Sequence, residues 1–203
     1  MKITLICLFS ALLITQLPVA AQVPSGCALQ KDKDGILVYT CHNDSSRFKT
    51  ILSLFDLRTS FTELRQALLD VDRYPEWQFN TSATTLLRTL GPAELTYHSH
   101  IDAPWPVSDR DMAVHLTLTE EGNVMKVTAN SERGLLPDTP DCIRVPASVS
   151  SWTVTRDGSV LHVAYSLVID PGGMVPAWLV NMACAQGPYE SFSKLKMKLE
   201  GKR

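Results

Sequence analysis

Through residues 84–169, apolar and polar residues alternate in segment after segment. The stretches 84–90, 94–101, 112–119, 124–131, 143–155 and 160–169 carry the two-residue period of strands with one buried face. Gly91-Pro92, Glu121-Gly122-Asn123 and Asp157-Gly158 supply turns between several of them. Upstream, "CALQKDKDGILVYTC" (27–41) reads as a hairpin closed by a three-residue loop, Lys33-Asp34-Gly35, with the glycine left-handed. "RFKTILSLFDLR" (47–58) adds a third strand.

Two segments switch to the helical period. Ser60 with Glu63 forms a capping box, Phe61, Leu64, Leu68 and Val71 share one helical face, and Pro75 ends the helix. Near the C-terminus a helix starts close to Pro176, after Gly172-Gly173. Trp178, Met182, Ala185, Tyr189, Phe192, Leu195 and Leu199 then recur three or four apart, and Gly187-Pro188 should kink the helix midway. Successive hairpins without strand–helix alternation argue against a parallel α/β sheet. The expected class is α+β: a curved antiparallel sheet whose apolar face is covered by the long terminal helix.

The first residues stand apart from this pattern. "MKITLICLFSALLITQLPVAA" has one lysine, an apolar run too short to span a bilayer, and Val19 and Ala21 at the positions a signal peptidase reads. Residues 1–21 are read as a cleaved signal peptide and 22–203 as one exported domain, periplasmic or secreted. A competing lipoprotein reading at Cys27 is disfavoured by Pro24, which stands where such sites carry an aliphatic residue. A net charge of −2 with no basic run argues against a nucleic-acid partner.

Export also suits the cysteines. Cys7 leaves with the signal, and Cys27, Cys41, Cys142 and Cys184 remain. Counted outward from the hairpin loop, Cys27 faces Cys41 at a non-hydrogen-bonded site within disulfide range. Cys142 with Cys184 follows by elimination, against the alternative of two buried thiols.

Catalytic signatures are missing: the sequence has no Gly-x-Ser-x-Gly, Cys-x-x-Cys, Walker or dinucleotide pattern. His98, His100 and Asp102 share a strand face near His115, a spacing that metal sites use. The opposite face carries Leu95, Tyr97 and Ile101, so the histidines read as solvated, and neither a metal nor another cofactor is assigned. Met112, Val114, Leu116 and Leu118 share an inner face, as do Leu161, Val163, Tyr165, Leu167 and Ile169. These faces offer burial and little chemistry.

Five stretches, "LQKDKDGILVYT", "YPEW", "PWPVSDRD", "SSWTV" and "DPGGMVPAWLVN", occur in the order and spacing of START domains. From about residue 29 to residue 199 the chain resembles this lipid-transfer family, related to the steroidogenic acute regulatory protein. The resemblance implies a helix-grip fold with a lipid tunnel between sheet and terminal helix, and a loop at 103–109 gating its mouth. It implies that Trp105 belongs to the lid, against the reading that it plugs the core, and that Arg110 and Asp111 pin the loop to the sheet. Sterol-binding members carry a charge at the position of Leu116, so that mode of recognition is in doubt. Choline-lipid binders use aromatic cages, for which Tyr97, Tyr165 and Trp178 offer rings.

The expected function is a non-enzymatic, monomeric carrier or sensor holding one hydrophobic ligand (phospholipid, fatty acyl or sterol-like), with transient membrane contact. Tyr97, Met112, Val114, Leu116, Tyr165, Trp178 and Met182 are the expected tunnel lining. Met174, near the helix entry, is placed against ligand or membrane. The alternatives are an enzyme of the same superfamily, such as a cyclase or hydrolase, and a groove that receives a partner's helix or peptide.

Overall fold

β1 (Cys27–Lys33), β2 (Ile36–Cys41) and β3 (Thr50–Leu57) form one edge of the sheet in the computed structural model. That model describes residues 23–46, 48–137, 139, 141–175 and 177–201, without the side chains of 177–179 and 181–183. The signal-peptide reading of 1–21, Pro176, and the side chains of Trp178 and Met182 therefore lie outside the described residues.

From β3 the chain crosses through α1 (Phe61–Leu69) and a 3-10 helix (Val71–Glu76) to the far edge of the sheet. It returns through β4 (Thr81–Gly91), β5 (Glu94–Ile101), β6 (Asp109–Glu121), β7 (Val124–Glu132), β8 (Cys142–Arg144), β9 (Ala147–Asp157) and β10 (Val160–Asp170). The spatial order is β1-β2-β3-β10-β9-β7-β6-β5-β4, with β8 beside β6. Thus β10 lands antiparallel on β3 and joins the two edges' hairpins into one sheet. The last element, α2 (Ala177–Glu200), packs over it. This is the helix-grip architecture.

The hairpin reading was right in outcome and wrong in detail. The loop has two residues, Asp34 and Gly35, both with positive φ (54° and 71°), so Lys33 pairs with Ile36. This is the type I′ geometry that Asp-Gly favours, because its twist matches the strands. An irregularity between Leu29 and Lys31 then shifts the register by one, and Cys27 again faces Cys41. The two are joined as a disulfide with Cα atoms 3.9 Å apart. Cys142 and Cys184 are free thiols, which corrects their pairing. Elimination supplied no geometry: Cys142 sits beside β6 and Cys184 faces a cavity.

The capping box forms as expected, with Ser60 and Glu63 each bonding the other's backbone. α1 stops at Leu69, well before Pro75, because the buried Tyr74 hydroxyl donates to the Leu68 carbonyl at 2.5 Å. That bond satisfies one of the acceptors a helix end leaves open. The predicted strand 143–155 is two strands. Pro146, which lacks a donor, separates β8 from β9, and β8 pairs with β6 in parallel. α2 runs through Gly187-Pro188 as one helix. Its C-terminal half is core, with Phe192, Leu195 and Leu199 buried. Its earlier residues Val180 and Cys184 face open space instead.

Candidate binding cavity

The concave face of the sheet is not filled. Between it and α2 lie two chambers that share Ile51, Phe79, Ile101, Leu167 and Ile169 as common wall. The inner chamber, about 210 Å³, reaches the middle of β6. The outer chamber, about 450 Å³, lies under the first turns of α2 and the loop after β5. Phe79 acts as the partition. Its N–H donates to Ser191 Oγ on α2 at 2.9 Å, and a Cβ at Gly187 would come within 3.1 Å of its ring. Glycine at 187 therefore lets the helix approach this closely.

Aromatic rings frame the inner chamber. Trp152 meets Tyr165 and Phe192 edge-on, with centroids 5.1 and 5.4 Å away, and Tyr74 meets Tyr97 at 5.3 Å. Such edge-to-face pairs add rigidity beyond area burial. Burial raises the hydroxyls of Tyr97 and Tyr165 far above the ordinary value, so both stay neutral hydrogen-bonding groups. Trp77 Nε1 is buried and has no partner among the described residues.

The outer chamber carries charge. Arg110 donates through Nη1 to the Ser108 carbonyl and through Nε to the Pro171 carbonyl at 3.4 Å. Its Nη2 is buried with no partner among the described residues. Burial lowers the guanidinium's pKa while Asp109 opposes the shift, and arginine stays charged. A buried donor of this kind is costly unless something accepts from it.

No family model matches the chain. An uncharacterized protein of Pseudomonas aeruginosa is 30% identical over 175 residues, covering 85% of this chain and 86% of its own length. The crystal structure of a STAR-related lipid transfer protein from Xanthomonas axonopodis superposes with a TM-score of 0.79 at 27% identity, over 86% of this chain and 99% of that one. Human STARD10 has a TM-score of 0.76 at 17% identity, over 89% of this chain and 76% of its own. The chain belongs to the START family.

Of the residues expected to line a tunnel, Tyr97, Met112, Val114, Leu116 and Tyr165 border the inner chamber. Met174 does not; it is 97% exposed, outside both walls, and its placement against a ligand is corrected. Trp105 neither plugs the core nor lines a chamber, being 91% exposed. Its neighbours Ala103 and Pro104 form the wall, and the Val107 N–H donates to the Pro104 carbonyl to close the turn. Arg110 does tie this loop to the segment before α2. Asp111 instead anchors strands: it accepts from Arg144 of β8 at 2.7 and 2.9 Å and contacts His98 Nε2 at 3.0 Å.

Sequence reasoning missed three features of the site. Arg110 was read only as a pin, although its third nitrogen has no partner among the described residues. Phe79 lies in an aperiodic segment and gave no signal. Trp152 stood in the motif "SSWTV", and the alternation of β9 would have placed it inward. His98 pairs with Asp111 and His115 with Glu94, so these two histidines are held by carboxylates and are not simply solvated.

Proposed function

We propose that this START domain is a non-enzymatic carrier that holds one amphiphilic lipid, with an anionic group on Arg110 and an acyl tail running into the aromatic inner chamber. The observation that carries the reading is the two-chamber, largely apolar space with Arg110 in its outer wall, one of whose guanidinium nitrogens is buried without a partner among the described residues. A tail gains about 0.8 kcal/mol per buried methylene, so ten of them offset most of the cost of closing the site. Among the described residues, the ionisable groups lining the inner chamber are tyrosines held protonated by burial, which favours binding over acid–base chemistry.

Access is through a membrane-facing mouth. Trp105 and Met174 project into solvent from segments whose neighbours Pro104, Pro171 and Val175 line the outer chamber. They would touch a bilayer as the loop opens and the lipid transfers. Among the described residues no helix is long and apolar enough to cross a membrane. The chain works after export, with residues 1–21 removed; the Cys27–Cys41 disulfide suits an oxidising compartment. A single copy suffices, because its own sheet and helix enclose the space.

The test uses cis-parinarate, a fluorescent fatty acid, and its uncharged alcohol analogue. A charge-assisted bond is worth about 1.5–3 kcal/mol, so Arg110→Met should weaken parinarate binding roughly 10- to 100-fold. Affinity for the alcohol should hold. Equal parinarate affinity in both proteins would remove Arg110 from the head-group site.

A further inference from the structure

Beside the cavity, at the foot of the loop that forms part of its wall, lies a cluster the carrier reading does not use. His100 is the last residue but one of β5, Asp102 follows the strand, and Asp109 opens β6, so the three bracket the 103–108 loop. One ligand atom from each lies within 4.8 Å of the others. His100 Nδ1 and Asp102 Oδ1 are 3.4 Å apart. That matches the spacing of two ligands on a tetrahedral cation, since bonds of about 2.1 Å set ligand atoms about 3.4 Å apart.

Each candidate ligand is also held by a polar neighbour. Ser82 Oγ donates to Asp102 Oδ1 at 2.5 Å and lies 2.9 Å from His100 Nδ1. The Ala103 N–H donates to Asp109 Oδ1 at 2.8 Å. His100 Nε2 contacts Cys142 Sγ at 3.1 Å, which fixes the ring with Nδ1 turned toward the carboxylates. Metal-binding histidines are commonly oriented through their second ring nitrogen, here Nε2 on Cys142, whereas Ser82 bridges the Nδ1 and Oδ1 atoms that would face a cation and would give way to it. Among the described residues, no lysine or arginine forms an ion pair with Asp102 or Asp109, although Asp109 acts through its charge on Arg110, and both carboxylates stand near the His100 imidazole. Asp102 is exposed and the other two are half-buried, leaving room for water to complete a coordination shell.

We propose that His100, Asp102 and Asp109 bind a first-row divalent cation at the base of the 103–108 loop, with zinc the best match to one imidazole and two carboxylates. Softer or harder cations fit less well: a single nitrogen with two oxygens is neither a thiolate set nor an all-oxygen cage. Because Asp102 and Asp109 stand at opposite feet of the loop, one cation would tie those feet together.

The experiment is calorimetric titration of zinc into the untagged full chain after stripping with EDTA and desalting. One equivalent should bind. His100→Gln and Asp109→Asn should each weaken binding at least tenfold, and the asparagine keeps the acceptor for the Ala103 N–H. Cys142→Ser should leave binding in place. Amide exchange at 103–108 should slow with zinc in the wild type and not in Asp109→Asn. Melting temperatures measured in EDTA confirm that the variants fold. Absence of binding, binding indifferent to His100→Gln and Asp109→Asn, or loss of binding in Cys142→Ser would each overturn the site.

Discussion

A Leu116→Arg variant is expected to lose lipid loading while keeping a measurable, lowered melting transition. Leu116 is 3% exposed, sits opposite Leu95 on one side and Ala129 on the other, and borders the inner chamber. An arginine there fills the space a tail would take and puts a charge against aromatic and aliphatic walls. An unpaired buried charge costs several kcal/mol, so the side chain will stretch toward the outer chamber and block the path between the two. Leu116→Met conserves volume, costs under about 1.5 kcal/mol, and should still load. The measurement is bound lipid per protein for the three forms, alongside their melting curves. Loading of the arginine variant at the wild-type level would move the ligand out of the inner chamber.

The second large effect is on stability. Asp111 is 2% exposed and receives a two-pronged bond from Arg144, with His98 on the same carboxylate. Its backbone carbonyl also takes the Val145 N–H. Removing the carboxylate in Asp111→Ala takes away both bonds from Arg144 and the contact with His98, and breaking such a buried pair should cost about 3–5 kcal/mol. For a chain of this size that lowers Tm by roughly 10 °C.

The pH dependence has a definite sign. Burial resists charging Asp111, but the bonds from Arg144 and His98 outweigh it and hold the carboxyl below its ordinary value. A depressed folded pKa gives stability that is complete above the unfolded value of about 3.9 and is lost as pH falls through the folded value. The wild type should therefore lose stability in acid below about pH 4, and Asp111→Asn should show a flatter slope there from a lower starting point. An unchanged acid slope in Asp111→Asn would show that other carboxylates carry it.

How much of this was legible beforehand depended on the kind of constraint each residue obeys. Strand period identified the inward face of β6 and β10, where Val114, Leu116 and Tyr165 border the inner chamber. Period alone does not say where the inward face meets core and where it meets space. Leu118 and Leu161 lie on the same faces, are buried in the core and border neither chamber. Trp105 and Met174 belong to segments with no period, where proline and glycine determine the path and nothing local dictates which way a side chain points. Arg110 was hardest to read, since its worth lies in a nitrogen left over after two others are bonded. The Cys27–Cys41 pair survived an error in the loop because the strand irregularity restored the register, which the alternation alone did not reveal.

Native mass spectrometry of the protein purified from its own host tests the central claim most directly. One non-covalent adduct of lipid mass per chain, extractable into organic solvent and restored by incubation with vesicles, is the predicted result. A protein that arrives bare and takes up nothing from vesicles would contradict the cavity's assignment as a lipid site.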